Sequence, residues 1–301
     1  MRNLKSVLAL IITLIITFSQ VCFACDLHGK TGIVEANNLN IPVGLKFLNG
    51  GITEVQFNRV INRISSLYTP VVKKLGGKLN FNRNWMDGTV NAYADRNNPT
   101  DPNIWNVSMF GGLARHPQMS EDGFAVVVCH ELGHQIGGAP HKKDPNGALM
   151  WAANEGQADY YATLKCLRNY FANQNNQAAL RNIQVPAFVV SSCQHSFANS
   201  NEIAICERSA MAGLTLGTFF KVLTNMKSEL NFTTPDLSKV KITNDSHPAA
   251  QCRLDTYFQG SLCDKSLQEN TSDSDPNQGT CTARNGDISG LRPNCWYAVP
   301  N

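Results

Sequence analysis

One run of residues constrains this chain more than any other, because it combines an apolar helix with polar side chains at its centre. Ser120 is a good helix N-cap, and Gly137-Gly138 is a typical helix end. Residues 124–132 leave almost no polar face, so the pattern predicts a helix that runs through the core. This helix carries the sequence His130-Glu131-Leu132-Gly133-His134. Buried polar groups need partners, and a bound ion would supply them.

The spacing of the two histidines predicts a zinc site. Residues four apart on a helix share a face, so the imidazoles of His130 and His134 can reach one tetrahedral ion. Glu131, between them, can act as general base toward a zinc-activated water. With this chain's composition, the pattern is expected by chance only about 0.01 times. The residues therefore predict a cofactor of one Zn²⁺ ion.

A catalytic zinc needs a third protein ligand and an open position. One class of zinc enzymes continues the motif as His-x-x-Gly-x-x-His, but that ligand position is Pro140 here, and His141 comes one residue late. Another class takes a glutamate from a following helix, and Glu155 opens such a helix beyond His134. Asp159 shares a face with Glu155 and can accept a hydrogen bond from the outer nitrogen of a histidine ligand. We predict Glu155 as the ligand and His141 as a turn residue.

The glutamate-ligand pattern resembles the gluzincins, and the rest of the chain resembles the HtpX-like and CAAX-prenyl-protease family among them. Two segments, Asn91-Ala92-Tyr93-Ala94 and residues 107–113, correspond to segments that this family places ahead of its zinc helix. His247-Pro248 and Arg253 correspond to its late His-Pro, with an arginine six residues after the histidine. The resemblance spans about residues 53–260.

The resemblance implies a zincin-like fold and a zinc-dependent endopeptidase that cuts exported or misfolded polypeptides. His247 would donate a hydrogen bond to the oxyanion, and Arg253 would hold the local structure or the substrate. The polypeptide substrate would add main-chain hydrogen bonds to an edge strand, which is predicted at Val107, Met109 and Gly111.

Two features depart from that family. Many of its members have transmembrane helices, which are not apparent here, so the resemblance is closer to the soluble periplasmic branch. The many cysteines are also unlike its cytoplasm-facing enzymes.

Two other functions stay open, a zinc-containing chaperone or envelope-assembly factor and a zinc hydrolase acting on a non-peptide bond. A structural zinc is disfavoured because closed sites usually recruit four ligands, mostly cysteines.

Residues 1–24 have the form of a signal peptide, with a basic start, an apolar run and Ala24 at the expected cleavage point. Export to the periplasm or outside the cell would bring the chain into an oxidising compartment, so most of the eight cysteines from Cys129 to Cys295 are predicted to form disulfides, with Cys129 either a disulfide half or a core residue. Cys25 stands where a bacterial lipoprotein carries its lipid, with a disulfide or free thiol as the alternative. Without residues 1–24 the chain has 24 basic and 23 acidic residues, which gives no argument for a nucleic-acid partner.

The remaining pattern predicts one α+β domain, mainly helical, with a small sheet ahead of the zinc-motif helix. Helices are expected at about 53–75, with a bend near Pro70, then at 151–172, at 201–227 and from His247-Pro248 onward. Strands are expected at about 78–84, 89–95 and 104–110. The domain would cover residues 25–301, with a core at about 53–263 and a tail, 264–301, held by Cys281 and Cys295.

Overall fold

A computed structural model describes residues 31–44 and 50–299. The predicted signal peptide and Cys25 lie outside these residues. The described chain combines helices with two small sheets, which confirms the α+β class. Among its helices, none has the length and apolar character needed to cross a membrane.

Helix α1, Glu54–Lys74, covers one side of the core. Its start is fixed by a capping box, in which the Thr53 hydroxyl accepts from the Gln56 backbone N–H at 3.3 Å and the Gln56 side-chain oxygen accepts from the Thr53 backbone N–H at 2.9 Å. The helix continues through Pro70 to its end. Its buried face consists of Phe57, Val60, Ile61, Ile64, Tyr68 and Val72.

The larger sheet has four strands, which are β1 (Thr31–Gly32), β2 (Lys78–Asn84), β3 (Ala92–Asp95) and β4 (Ile104–Phe110). Their order across the sheet is β1-β3-β4-β2. Strand β4 runs parallel to β2 and antiparallel to β3, and β1 pairs antiparallel with β3. The three predicted strands are confirmed, whereas β1 was not expected.

The prediction of a substrate edge strand at Val107, Met109 and Gly111 is wrong. Strand β4 has hydrogen-bonded neighbours on both sides, so its main chain offers no free edge. Val107 and Met109 are fully buried, and Gly111 begins the short helix α2, Gly111–Ala114. The sequence does not show that β2 pairs with β4. With β2 on one side of β4 and β3 on the other, the edge strands of the sheet are β2 and β1.

Helix α3, Glu121–Ile136, is the predicted central helix. The Ser120 hydroxyl caps it by accepting from the Gly123 backbone N–H at 3.0 Å. Every residue from Gly123 to Gln135 is buried, and the helix packs against α1, the sheet and the helices that follow. The motif helix therefore lies in the core, as its apolar sequence predicted.

A hairpin that the sequence did not predict follows α3. Its strands are β5 (His141–Lys143) and β6 (Leu149–Ala153). The chain then enters α4 (Glu155–Tyr161), a π-helical turn (Ala162–Cys166) and α5 (Leu167–Phe171). The helix predicted at 151–172 thus begins at Glu155, because residues 151–153 belong to β6.

The rest of the described chain has further helices, an irregular stretch over residues 224–249 between the last two long ones, and a long irregular tail. Its helices are α6 (Asn176–Leu180), α7 (Ala187–Ser196), α8 (Ser200–Leu223), α9 (Ala250–Leu262) and a short 3-10 turn (Ala283–Asn285).

Four disulfides confirm the prediction made from the cysteine count. They are Cys129–Cys166, Cys193–Cys206, Cys252–Cys295 and Cys263–Cys281. The last two join α9 and its C-terminal end to the tail, as expected of Cys281 and Cys295, and the first joins α3 to the π-helical turn.

Candidate metal centre

The two motif histidines point their inner nitrogens at each other. The Nε2 atoms of His130 and His134 are 3.1 Å apart, and both side chains are buried. Nδ1 of His134 lies 2.8 Å from the backbone oxygen of Ala153. A carbonyl oxygen can only accept, so this Nδ1 carries the proton and the His134 Nε2 presents its lone pair to the centre.

Glu155 completes a three-residue cluster. The Asn154 side chain caps α4 by accepting from the Gln157 backbone N–H at 2.9 Å, which places Glu155 in the first turn beside α3. Its Oε2 lies 3.2 Å from Nε2 of His130 and 3.6 Å from Nε2 of His134. The ligand atoms of these three residues all lie within 4.8 Å of one another. The structure thus brings the three predicted ligands together.

The cluster has the unsatisfied polar atoms that a cation would satisfy. Oε2 of Glu155 is buried, and the Nε2 atoms of His130, His134 and His247 lie 3.2, 3.6 and 3.2 Å from it, none of them with hydrogen-bond geometry. When the two motif imidazoles are neutral, their lone pairs and this oxygen repel each other, and a cation between them removes that repulsion. Two imidazoles and one carboxylate are a donor set that suits zinc. On this chemistry, the residues fit a zinc ion.

Asp159 holds the outer side of His130. Its Oδ1 lies 2.7 Å from Nδ1 of His130, and its carboxylate accepts from Nε and Nη2 of Arg253 at 2.7 and 2.8 Å. Tyr257 donates a further hydrogen bond to Oδ1 at 2.5 Å. Burial alone would raise the pKa of Asp159, but Arg253 and His130 lower it to about 2. The ionised carboxylate therefore accepts from Nδ1 and leaves Nε2 of His130 free to bind.

Glu131 is a buried carboxyl group in the chain between the two motif histidines. It is fully buried, and neither carboxylate oxygen has a hydrogen-bond partner among the described residues. Burial raises its pKa to about 8. Burying a carboxyl group without a hydrogen-bond partner lowers the free energy of unfolding, and such groups are concentrated at functional sites.

His247 approaches the cluster from the loop ahead of α9. Its Nε2 lies 3.2 Å from Oε2 of Glu155 and 2.7 Å from the backbone oxygen of Gly32, and its Nδ1 lies 3.1 Å from Oε1 of Glu35. Burial lowers the pKa of His247, but Glu155 and Glu35 more than offset this and raise it to about 9. A protonated His247 can donate a hydrogen bond to an oxygen at the edge of the centre.

Lys142 was missed by the sequence reasoning. It lies on β5, is almost fully buried, and its Nζ is 2.7 Å from Oε1 of Glu155. It therefore neutralises the outer oxygen of Glu155 while Oε2 still faces the histidines. No sequence signal marked it, because the hairpin that carries it was not predicted and a lysine beside a turn is usually solvated.

The residue rejected as a ligand lies apart from the cluster. His141 begins β5, and its Nε2 lies 3.1 Å from Oδ1 of Asp273 in the tail. The predicted helper residues Asp159, Arg253 and His247 all reach the centre, whereas the strand residues Val107 and Met109 are packed in the core.

Comparisons with protein-family models, curated proteins and solved structures give no match for this chain. The assignment of the site therefore depends on its own geometry and chemistry.

Proposed function

We propose that this chain is a zinc-dependent endopeptidase of the gluzincin type, with a zincin-like fold resembling that of the HtpX-like and CAAX-prenyl-protease family. One observation carries the proposal. Two buried imidazoles, each held from its outer nitrogen, face one oxygen of Glu155, and the carboxyl of Glu131, which has no hydrogen-bond partner among the described residues, lies next to them in the chain. This is the arrangement that metal-assisted hydrolysis needs.

The ion would be held by His130, His134 and Glu155, and when bound it would supply Lewis-acid chemistry to a water and to a carbonyl oxygen. Glu131 takes a proton from the attacking water and later gives it to the leaving amine. His247 donates to the carbonyl oxygen where negative charge develops.

The outer residues keep these groups in place. Asp159 fixes the tautomer of His130, and Arg253 fixes Asp159 through two parallel hydrogen bonds. The disulfide Cys129–Cys166 begins one residue before His130 and joins α3 to the turn after α4. Exported and misfolded polypeptides are the proposed substrates, and four disulfides are consistent with an oxidising compartment.

The test combines metal analysis with a digest. Wild type should purify with one zinc per chain, and Glu155→Ala should lose most of it. Glu131→Gln should keep the zinc but lower kcat on unfolded casein at least about 100-fold, because a general base contributes about that much. Glu54→Gln, an exposed glutamate on α1, is the control and should cut at the wild-type rate.

The outcomes separate the alternatives. Full activity in Glu131→Gln would remove Glu131 from the mechanism and contradict the proposal. If zinc is present, unfolded clients bind and none is cut in either form, the chain is a zinc-containing binding protein instead. A chain that cuts no peptide but hydrolyses an ester or amide library would be a hydrolase of another class.

A further inference from the structure

The N-terminal segment Thr31–Glu35 lies where an extended chain would meet the candidate metal centre. Thr31 and Gly32 pair antiparallel with Ala94 and Tyr93 of β3, and the Ile33 backbone N–H donates to the backbone oxygen of Ala92 at 3.2 Å. Strand β1 is thus an added outer strand on β3. The sheet has two edges, with β2 at one and β1 at the other.

Three side chains bind successive carbonyl oxygens of this segment. His247 Nε2 lies 2.7 Å from the oxygen of Gly32, and Arg253 Nη1 donates to that of Ile33 at 2.8 Å. Asn91 Nδ2 donates to the oxygen of Val34 at 3.0 Å, while its Oδ1 accepts from the Val34 backbone N–H at 3.4 Å. These contacts use only main-chain atoms of the segment. The same groups would bind any extended polypeptide in their place.

A single side chain, His247, joins the segment to the candidate metal ligand Glu155. The His247 nitrogen that contacts the Gly32 oxygen is the one that lies 3.2 Å from Oε2 of Glu155. A Cβ added at Gly32 would lie 2.9 Å from the Tyr93 ring, so a residue without a side chain allows this close approach. The Glu35 carboxylate caps the outer nitrogen of His247.

The side chain of Ile33 anchors the segment, because it is fully buried in the main apolar core. By contrast Glu35 is more than half exposed, and residues 35–40 lie on the surface. The ladder covers only two residues of β1, but further hydrogen bonds join Ile33 to Ala92, Asn37 to Val90 and Ile41 to Gly88. Release of residues 31–35 therefore uncovers the buried site of the Ile33 side chain, which an incoming peptide has to fill.

We infer that residues 31–35 are an internal ligand of the polypeptide cleft formed by β3, His247, Arg253 and Asn91, and that a substrate or partner polypeptide enters by displacing them. This inference rests on the proposed function for the identity of the natural ligand. The occupant would be an extended peptide with a branched apolar residue at the position of Ile33. No peptide can bind while the internal segment occupies the cleft. The apparent affinity for the peptide is therefore its intrinsic affinity multiplied by the fraction of time for which the cleft is free.

A binding assay tests this without requiring activity. A fluorescent peptide matching residues 31–39 is titrated into the full chain carrying Glu131→Gln, so that the probe is not cut. Adding Ile33→Asp puts a charge into a buried apolar site and should release the segment. The peptide should then bind at least about tenfold more tightly, which corresponds to an internal occupancy of about 90% or more. Leu39→Asp, which places the same charge at an exposed position four residues beyond the segment, should leave affinity within about twofold.

Hydrogen exchange provides a measurement that does not depend on the folding of Ile33→Asp. In the chain with only Glu131→Gln, excess peptide should speed exchange at the Ile33 and Val34 amides several-fold, because it displaces them from Ala92 and Asn91. Unchanged exchange, or equal peptide affinity with and without Ile33→Asp in a folded chain, would overturn the inference.

Activity measurements separate this inference from the proposed function. With Glu131 restored, Ile33→Asp should raise kcat/KM on casein several-fold over the Leu39→Asp control. Equal cleavage by both would refute the internal ligand and leave the peptidase intact. Tenfold tighter peptide binding with no cleavage in any form would support the cleft and refute the peptidase.

Discussion

The substitution Asp159→Asn tests the hydrogen-bond chain behind the candidate metal centre. Asp159 is fully buried and forms two hydrogen bonds with Arg253, at 2.7 and 2.8 Å. Removing one charge of a buried pair destabilises a protein by about 3–5 kcal/mol, because the other charge stays buried. Asparagine keeps one acceptor oxygen, so we expect about 3 kcal/mol. This would lower Tm by about 6–12 °C for a chain of this size.

The same substitution should weaken zinc binding for a different reason. The ionised carboxylate now accepts from Nδ1 of His130, whereas an asparagine presents a neutral oxygen or an N–H group and holds the ring less firmly. We expect the zinc affinity to fall about 10–100-fold, which lowers the stabilisation by saturating zinc by about 1.4–2.8 kcal/mol. Competition with a chromophoric chelator measures the affinity, and unfolding with and without zinc measures the stability.

Asp122→Asn provides a matched control. Asp122 lies at the start of α3 and accepts two hydrogen bonds from Arg208, at 2.6 and 2.7 Å, so it repeats the pairing of Asp159 away from the centre. It should lose stability but keep zinc affinity within about twofold. If Asp159→Asn also kept its zinc affinity, the carboxylate would serve only as a partner of Arg253, and the reasoning about His130 would be wrong.

Three other perturbations test the packing and charge around the site by unfolding measurements. A Cβ at Gly156 would lie 2.1 Å from the Trp296 ring, so Gly156→Ala should destabilise by about 1–3 kcal/mol, and a wild-type Tm would contradict that packing. Replacing both Cys129 and Cys166 by alanine should remove about 2–4 kcal/mol in denaturant unfolding, since the bond closes a loop across 37 positions. Burial raises the pKa of Asp255 to about 6, so the folded chain holds this proton more tightly than the unfolded chain. Its contribution to stability is complete below about pH 4 and is lost as the pH rises through about 6, so the stability of wild type relative to Asp255→Asn should fall over this range, and parallel pH profiles would contradict this.

The sequence predicted the elements whose signals are local. Helix α3 and its cap, helix α1 and the three longer strands all depend on residues that are close together in the sequence. The β5–β6 hairpin was not predicted, because its strands are short and lack regular alternation of polar and apolar residues. The order of the strands in the larger sheet was not predicted for a different reason. The parallel pairing of β2 with β4 joins segments that are distant in the sequence, and no local pattern specifies such a pairing.

The same division explains what could be predicted of the site. Residues one helix turn apart can be recognised from their spacing, and the helix that begins at Glu155 places Glu155 and Asp159 on one face. His247 and Gly32 have no such signal, since 215 positions separate them along the chain and their contact depends on where the sheet ends. Spacing along one helix therefore predicts a candidate metal-ligand set, whereas the proposed polypeptide cleft depends on strand pairing between distant segments. In this chain β2 pairs with β4 and residues 31–32 pair with β3, and neither pairing has a local signal in the sequence.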